Sequence, residues 1–192
     1  PLIDGTLADG TRVHVALPPI ASTPTVSIRR HAKGDWTIRH LLETKMLTQE
    51  AFHYLQELIA KRKNIVVCGT TGSGKTTLIR ALLNHCHDGE RIVTIEDTRE
   101  ITLNRPNAIA LLTRHDPEHL VPDISLQTLI VNALRMRPDR IVVGEVRGPE
   151  ALLLLDALAT GHQGSMSSLH ASTPQQALRR LESLVSRGAP QW

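Results

Sequence analysis

Residues 65–77 read IVVCGTTGSGKTT, a short apolar run followed by a loop of glycines and hydroxyl side chains. The part from Gly69 to Thr76 fits the pattern GxxxxGK followed by Ser or Thr, and it lies where an expected strand passes into an expected helix. Glycines let backbone N–H groups converge on phosphate oxygens, and the positive end of the following helix dipole favours the same anion. The stretch therefore predicts a nucleotide-phosphate site in an α/β protein.

Each residue type in this loop has an expected contact with a bound nucleotide. Lys75 reaches the β- and γ-phosphates as a point charge, and the hydroxyl of Thr76 is suited to ligate Mg²⁺. The expected nucleotide-binding residues are Thr71, Gly72, Ser73, Gly74, Lys75, Thr76 and Thr77. A glycine-rich turn that binds nothing is the alternative, and a chance match in a chain of this length has a probability of roughly 1% from average residue usage.

Composition excludes several other classes of protein. Of the 192 residues, 41% are hydrophobic and 21% are charged, which is ordinary globular usage and excludes collagen, coiled coil and disorder. The longest apolar stretch, residues 151–159, is too short to cross a bilayer. Cys68 and Cys86 have no spacing that would hold zinc. A globular protein of the reducing cytoplasm, without a transmembrane segment, is expected.

The N-terminal part of the chain differs in periodicity from the rest. The first thirty residues alternate apolar and polar positions around Asp9 and Gly10, which predicts a β-hairpin, and residues 25–29 predict another short strand. A hairpin this small does not bury its own apolar face. We therefore expect residues 1–31 to be the C-terminal remnant of an N-terminal domain, followed by a linker at residues 32–36.

Beyond the linker, helical and strand patterns alternate. Thr48 is expected to cap the first helix. Apolar runs typical of strands covered on both faces occur at residues 65–68, 92–95, 108–112 and 141–143. Helical spacing marks residues 76–87, 125–136, 149–159 and 174–187, with Ser125 and Thr173 as caps. The order βαββαβαβα predicts an α/β fold with a mostly parallel sheet.

Acidic residues follow two of the expected strands at their C-terminal ends, where α/β sheets place ligands. One group comprises Glu96, Asp97 and Glu100, and Glu145 follows the later strand. A carboxylate near the γ-phosphate would polarise an attacking water, and one farther back would fix a magnesium-bound water. The residues alone leave open which carboxylate takes which role.

Histidines and arginines supply further candidates. His162 and His170 flank a segment of small residues, and an imidazole near a terminal phosphate would report its presence, although lone histidines are more often structural. Planar guanidinium groups suit phosphates, but most surface arginines are only solvated charge. The arginine set comprises Arg29, Arg30, Arg99, Arg114, Arg135, Arg137, Arg140 and Arg147.

Four elements in order make the chain resemble the secretion ATPase superfamily, the motors of type II secretion, type IV pili and type IV secretion. They are a Walker A loop at residues 69–77, an Asp box at 95–100, an atypical Walker B at 140–148 and a His box at 160–171. The run from 134 to 151 is most similar to the CpaF-type ATPases of tight-adherence pili. The chain lacks a four-cysteine insertion, which disfavours the type II secretion branch.

The resemblance implies a fold and catalytic roles. Residues 37–192 would be a RecA-like P-loop NTPase core with a mostly parallel sheet, truncated at its C-terminal end and preceded by the β-rich remnant. Glu100 would be the general base. Glu145 would hold Mg²⁺ through a water, Thr76 would ligate it directly, and Lys75 would complete the catalytic set.

The resemblance also implies phosphate contacts from more distant residues. An arginine at the end of the N-terminal domain, Arg29 or Arg30, would approach the phosphates when the two domains close, and so would Arg114. His170, with His162 as the second candidate, would sense the terminal phosphate.

The expected function is hydrolysis of ATP that powers assembly of a tight-adherence or type IV-like pilus, or secretion through an inner-membrane platform protein. A full-length member would form a homohexameric ring, cytoplasmic and peripheral to the inner membrane. The near alternative is a type IV secretion or conjugation ATPase. A nucleic-acid translocase shares the fold, but aromatic residues are only 2% of the chain and leave little for base stacking. A module that binds ATP without turnover would carry the same loop.

Overall fold

The structure is a computed structural model that describes residues 1–7, 10–30, 36–116 and 120–189. The chain divides into two units, Pro1–Asp35 and Trp36–Trp192. Within the described residues, no helix combines the length and the apolar character that a membrane-spanning segment requires.

The first unit is an antiparallel sheet with the strand order β1–β2–β3. Its strands are β1 (Leu2–Thr6), β2 (Arg12–Ala16) and β3 (Thr25–Arg29). The register sets Ile3, Val15 and Val26 beside one another on one face. The expected hairpin and third strand are therefore present, and Asp9 of the expected turn lies outside the described residues.

The second unit contains a parallel sheet of five strands in the order β4–β8–β7–β5–β6. The strands are β4 (Ile65–Gly69), β5 (Ile92–Glu96), β6 (Ala108–Leu112), β7 (Arg140–Val143) and β8 (Met166–His170). The helices are α1 (Ile38–Glu43), α2 (Gln49–Ala60), α3 (Lys75–Leu83), α4 (Leu126–Leu134), α5 (Glu150–Ala159) and α6 (Pro174–Gly188). This arrangement confirms the predicted α/β fold with a mostly parallel sheet.

Helices cover both faces of this sheet. On one face, α1, α2 and α3 pack with Ile92 and Val142, and on the other, α4, α5 and α6 pack with Val93, Ile141 and Val143. Neighbouring residues of β5 and β7 thus belong to opposite layers, as the two-residue period of a strand requires. Burial on both faces explains the continuous apolar runs of these two strands.

Strand β8 lies inside the sheet, between β4 and β7, although its sequence, Met-Ser-Ser-Leu-His, is not an apolar run. Ser167 Oγ donates a hydrogen bond to Val143 O at 2.9 Å, and Ser168 Oγ donates to Gly144 O at 2.6 Å. Both hydroxyls are buried and satisfied by the neighbouring strand. The order of elements implies a strand here, but hydropathy does not mark it.

The helix caps at Thr48, Ser125 and Thr173 form as expected, since each side chain accepts a backbone N–H of its helix's first turn at 3.2 Å. The helix expected over residues 76–87 instead ends at Leu83. The guanidinium group of Arg105 donates to carbonyl groups from this helix end and the turn that follows it, and so provides the partners that the backbone there lacks.

Arg140 is neither a solvated charge nor a phosphate contact. It is 1% exposed, and its guanidinium donates to Glu90 Oε2 at 2.6 Å. Two further N–H groups donate to Gly164 O at 2.9 Å and Ile59 O at 3.0 Å. Arg140 therefore cross-links three segments at the amino edge of the sheet, the edge opposite the carboxyl ends of its strands.

Candidate functional site

The loop between β4 and α3 lies at the carboxyl edge of the sheet and requires glycine at defined positions. Gly72 and Gly74 have φ angles of 75° and 86°, in the left-handed region, and Gly74 is the N-cap residue of α3. A Cβ atom on Gly74 would also have to displace the terminal methyl group of Met46. The loop therefore curls with its backbone close to the helix start, the shape in which N–H groups converge on an anion.

Lys75 is the first residue of α3 and is only 9% exposed. Its Nζ donates to Gly69 O at 3.1 Å and to Thr70 O at 2.9 Å. The ammonium group therefore lies over the carbonyl groups of its own loop. Thr76 and Thr77 follow in the first helical turn, so that their side chains start from the same helix end.

The strand order brings the other candidates to the same edge. His170 ends β8, and its backbone is in register with Gly69 at the start of the loop. Glu145 follows β7, the next strand, and Glu100 follows β5, the one after that. Strand spacing of about 4.8 Å puts β5 about 14 Å from β4. The loop, Glu100, Glu145 and His170 thus lie at one edge of one sheet.

Glu145 lies at the centre of a charged network. Its Oε1 is 3.1 Å from His170 Nε2, and its Oε2 accepts a hydrogen bond from Arg147 Nη2 at 2.6 Å. Burial acts to raise the pKa of this carboxyl. The hydrogen bond from Arg147, with the charges of Arg147, His170 and Lys75, outweighs that effect and holds the pKa below its ordinary value. Glu145 is therefore ionised at neutral pH.

Arg147 connects the two groups of acids. Its hydrogen bond to Glu145 raises the guanidinium pKa against the effect of burial, and the charges of Asp97 and Glu100 act in the same direction. The backbone N–H groups of Arg147 and the next residue donate to Glu150 Oε1 at 2.6 and 2.8 Å, which fixes the turn into α5. Sequence reasoning gave Arg147 only as one of eight arginines. Its position two residues after Glu145 was the feature of the sequence that could have indicated this pairing.

Glu96, the last residue of β5, is buried at 4% exposure. Its carboxylate accepts backbone N–H groups from Glu100 at 3.2 Å and Ile101 at 3.1 Å. Burial raises the pKa of Glu96 to about 7, although the two N–H donors act to lower it. The sequence placed Glu96 in an acidic group but gave no sign that it is buried.

Two of the expected phosphate contacts lie away from the loop. Arg114 follows β6, four strand spacings or about 19 Å from β4. Its guanidinium donates to Pro122 O at 2.8 Å. His162 precedes β8 at the amino edge, so the length of that strand separates it from the site, and its Nδ1 is 3.1 Å from Ala157 O. Arg29, with Arg30 next to it, ends β3 of the first unit, and its phosphate contact stays a prediction.

A cleft of about 470 Å³ opens beside the loop. Residues of the loop, of the end of β8 and of α6 line it; they are Thr70, Thr71, His170, Ala171, Ser172, Gln176 and Arg180. Arg180 comes from a helix that sequence reasoning did not connect with the site. The cleft brings a cationic and a hydroxyl-rich wall next to the loop, a lining suited to an anion.

The residues present fit a magnesium ion held together with a nucleotide. Thr76 offers a hydroxyl oxygen and Glu145 an ionised carboxylate, which are the hard oxygen donors that Mg²⁺ prefers. No cluster of three or more His, Cys, Asp or Glu ligands occurs in the described part of the chain. This donor set matches the usual magnesium site, in which one or two protein oxygens act together with substrate phosphates.

Comparisons with known proteins agree with this arrangement. The sequence profile of the Type II/IV secretion system protein family matches residues 4–189. The conjugal transfer protein TrbB of Rhizobium radiobacter is 38% identical over 195 residues, covering 100% of this chain and 58% of that protein. The type IV secretion system protein VirB11 of Bartonella quintana is 30% identical, covering 96% of this chain and 62% of that protein.

Solved structures give the same result. The VirB11 ATPase of the Brucella suis type IV secretion system, crystallised in complex with sulphate, superposes with a TM-score of 0.64 at 31% identity. The match covers 97% of this chain and 61% of that chain, so the chain spans less than two thirds of these relatives. The pilus retraction motor PilT, at 22% identity and a TM-score of 0.66, shares the fold. The chain therefore belongs to the type II/IV secretion system protein family.

Proposed function

We propose that the protein is a magnesium-dependent ATPase that powers a type II/IV secretion or pilus machine. The observation that carries this proposal is the common sheet edge, where the glycine loop with Lys75 lies beside the contact between His170 and Glu145. This edge offers N–H donors and a cation for the phosphates, and carboxylates for the metal and the attacking water. The family supports the same activity.

The residues from Thr71 to Thr77 bind the β- and γ-phosphates through their backbone N–H groups and the helix end. Lys75 exchanges the carbonyl groups of Gly69 and Thr70 for phosphate oxygens, which are stronger acceptors for an ammonium group. Thr76 holds Mg²⁺, which supplies charge neutralisation at the phosphates when it is bound. These contacts position the γ-phosphate toward β7 and β5.

Glu145 and Glu100 have different proposed roles. Glu145, kept ionised by Arg147, would help to hold Mg²⁺ through a water. Glu100, four residues beyond the end of β5, takes the proton of the attacking water as general base. His170 lies between the loop and Glu145, where loss of the γ-phosphate changes the field on its ring. It thereby couples the phosphate state to β8.

Completion of the site requires further residues. Arg114 follows β6, at the other end of the sheet from β4, and Arg29 belongs to the first unit. We propose that both reach the phosphates when domains or subunits close. The protein acts as a homohexamer that is cytoplasmic, peripheral to the inner membrane and docked on a platform protein there. The curated relatives support a type IV secretion or conjugation ATPase as much as a tight-adherence pilus ATPase. The proposal is therefore ATP hydrolysis that powers a machine of either kind.

Variants of Lys75 and Glu100 test the proposal. Lys75→Ala should weaken binding of a fluorescent ATP analogue at least tenfold. Glu100→Gln should keep the affinity and lower kcat at least a hundredfold. Lys61→Ala is a matched control, since that exposed lysine pairs with Glu57 on α2. Equal affinity of the wild type and Lys75→Ala would contradict the proposed phosphate site.

Two further measurements separate the alternatives. Hydrolysis that is insensitive to single-stranded DNA supports the secretion motor, and strong stimulation by DNA supports a translocase. Tight nucleotide binding without any turnover in the assembled ring would indicate a nucleotide-gated module.

A further inference from the structure

Glu96 is a buried acid for which the proposed mechanism has no role. It ends β5 and is only 4% exposed, whereas Asp97, the next residue, is exposed. An acid at this depth is rare unless it has partners. Its surroundings therefore require an explanation.

The partners of this carboxylate are two consecutive backbone amides. Oε1 accepts from the N–H of Glu100 at 3.2 Å and of Ile101 at 3.1 Å, and Oε2 lies 3.3 Å from the same Ile101 N. Ile101 is 1% exposed and belongs to the hydrophobic core. The side chain of Glu96 thus closes the segment 97–100 into a loop whose far end is anchored in the core.

The same side chain also contacts the backbone that carries the second acid. A Cβ atom on Gly144 would lie 2.9 Å from Glu96 Cγ, so the Glu96 side chain packs directly against this glycine and would have to shift if it carried a side chain. Gly144 N donates to Ile95 O at 2.9 Å, and Glu145 is the next residue. Glu96 therefore packs between the backbone positions from which Glu100 and Glu145 project.

The charge of Glu96 is costly where it lies. Burial raises its pKa to about 7; the charge of Glu100 acts in the same direction, and the two N–H donors and the charge of Arg99 act in the other. An apolar side chain would fill this space without that cost. An acid in this place that accepts two backbone N–H groups points to a role for the acceptor itself.

We propose that Glu96 is a positioning residue that sets the distance between Glu100 and Glu145 by holding the 97–100 loop through the amides of Glu100 and Ile101. The proposal rests on the proposed function for the role of Glu100. A displacement of about 1 Å of a catalytic group costs up to about a hundredfold in rate. Loss of the acceptor should therefore lower kcat and leave nucleotide binding unchanged.

The test compares Glu96→Met with Glu96→Gln. Methionine has a similar length and no strong acceptor, whereas glutamine keeps Oε1, the atom that accepts both N–H groups. We expect Glu96→Met to lower kcat tenfold to a hundredfold with KM for ATP within twofold. Glu96→Gln should recover most of that loss in kcat. Thr94→Val is the control, because Thr94 lies two residues earlier, is also buried, and has no described partner for its hydroxyl.

A structural readout accompanies the kinetics. Hydrogen–deuterium exchange at the amides of Glu100 and Ile101 should accelerate at least tenfold in Glu96→Met and stay near the wild-type rate in Thr94→Val. Glu96→Asp, which keeps the charge but shortens the reach by one methylene, should show the same loss of kcat and of protection. It provides the test should the methionine variant not fold.

The outcomes distinguish this inference from the proposed function. Unchanged amide exchange in Glu96→Met and Glu96→Asp, or a glutamine variant as impaired as the methionine one, would overturn the positioning role. Normal turnover in Glu100→Gln would instead overturn the general-base assignment, and the exchange rates would still decide whether Glu96 holds the loop.

Discussion

Replacement of Glu96 by glutamine removes a buried charge and keeps the size of the side chain and the Oε1 acceptor. The pKa of Glu96 rises from an ordinary 4.5 to about 7 in the folded protein. Between these two values the folded state holds a proton that the unfolded state releases, so the free energy of unfolding falls as pH rises. At about 1.4 kcal/mol for each tenfold change in proton affinity, the whole fall is about 3 kcal/mol.

Glutamine does not titrate, so the Glu96→Gln variant lacks this fall. Urea unfolding at pH 5 and pH 8 would measure the difference in unfolding free energy between the variant and the wild type. The unfolding free energy of the variant relative to that of the wild type should be roughly 2 to 3 kcal/mol higher at pH 8 than at pH 5. Thr94→Val keeps Glu96, so its difference in unfolding free energy from the wild type should be the same at both pH values. Parallel curves for Glu96→Gln and the wild type would refute the assignment of a protonatable, buried Glu96.

Three other substitutions have defined consequences. Arg147→Ala should raise the pKa of Glu145, followed by carbon-13 NMR of the carboxyl group, because the hydrogen bond and charge that hold it low are removed; an unchanged titration would contradict the network. Arg140→Met should lower the free energy of unfolding by about 3 to 5 kcal/mol, since the buried Glu90 loses two N–H donors and keeps Arg62, while two buried carbonyl groups lose their donors; a loss below about 1 kcal/mol in urea unfolding would contradict this. Gly74→Ala should weaken binding of an ATP analogue at least tenfold, measured by titration calorimetry, whereas Gly161→Ala, also at positive φ but with open space around it, should not.

Much of the fold followed from local sequence. The glycine loop, the apolar runs of the buried strands and the capping residues Thr48, Ser125 and Thr173 depend on short-range chemistry, and all lie where the pattern indicated. Strand β8 was placed only by the order of elements, because its buried hydroxyls are satisfied by carbonyl groups at the end of β7 and just after it. Such pairing depends on register between distant segments and leaves no hydropathy signal.

Local sequence likewise predicted some features of the site, and others depend on distant segments. The carboxyl edge of the sheet collects Lys75, Glu145 and His170, and the strand-end rule indicated this edge for Glu145. The burial of Glu96 arises from the pairing of β5 with β7 and from the loop that returns over it, so its spacing in the sequence could not show it. Arg140 likewise matched a general pattern for phosphate contacts, and its buried partner Glu90 lies fifty residues away.

A crystal structure of the protein with Mg²⁺ and a non-hydrolysable ATP analogue tests the central claim most directly. We predict phosphate oxygens at the N–H groups from Gly72 to Thr77, Lys75 Nζ moved from its loop carbonyls to the γ-phosphate, and the carboxylates of Glu100 and Glu145 facing that phosphate. An analogue bound elsewhere, or Lys75 still on the carbonyls of Gly69 and Thr70 beside an occupied site, would contradict it.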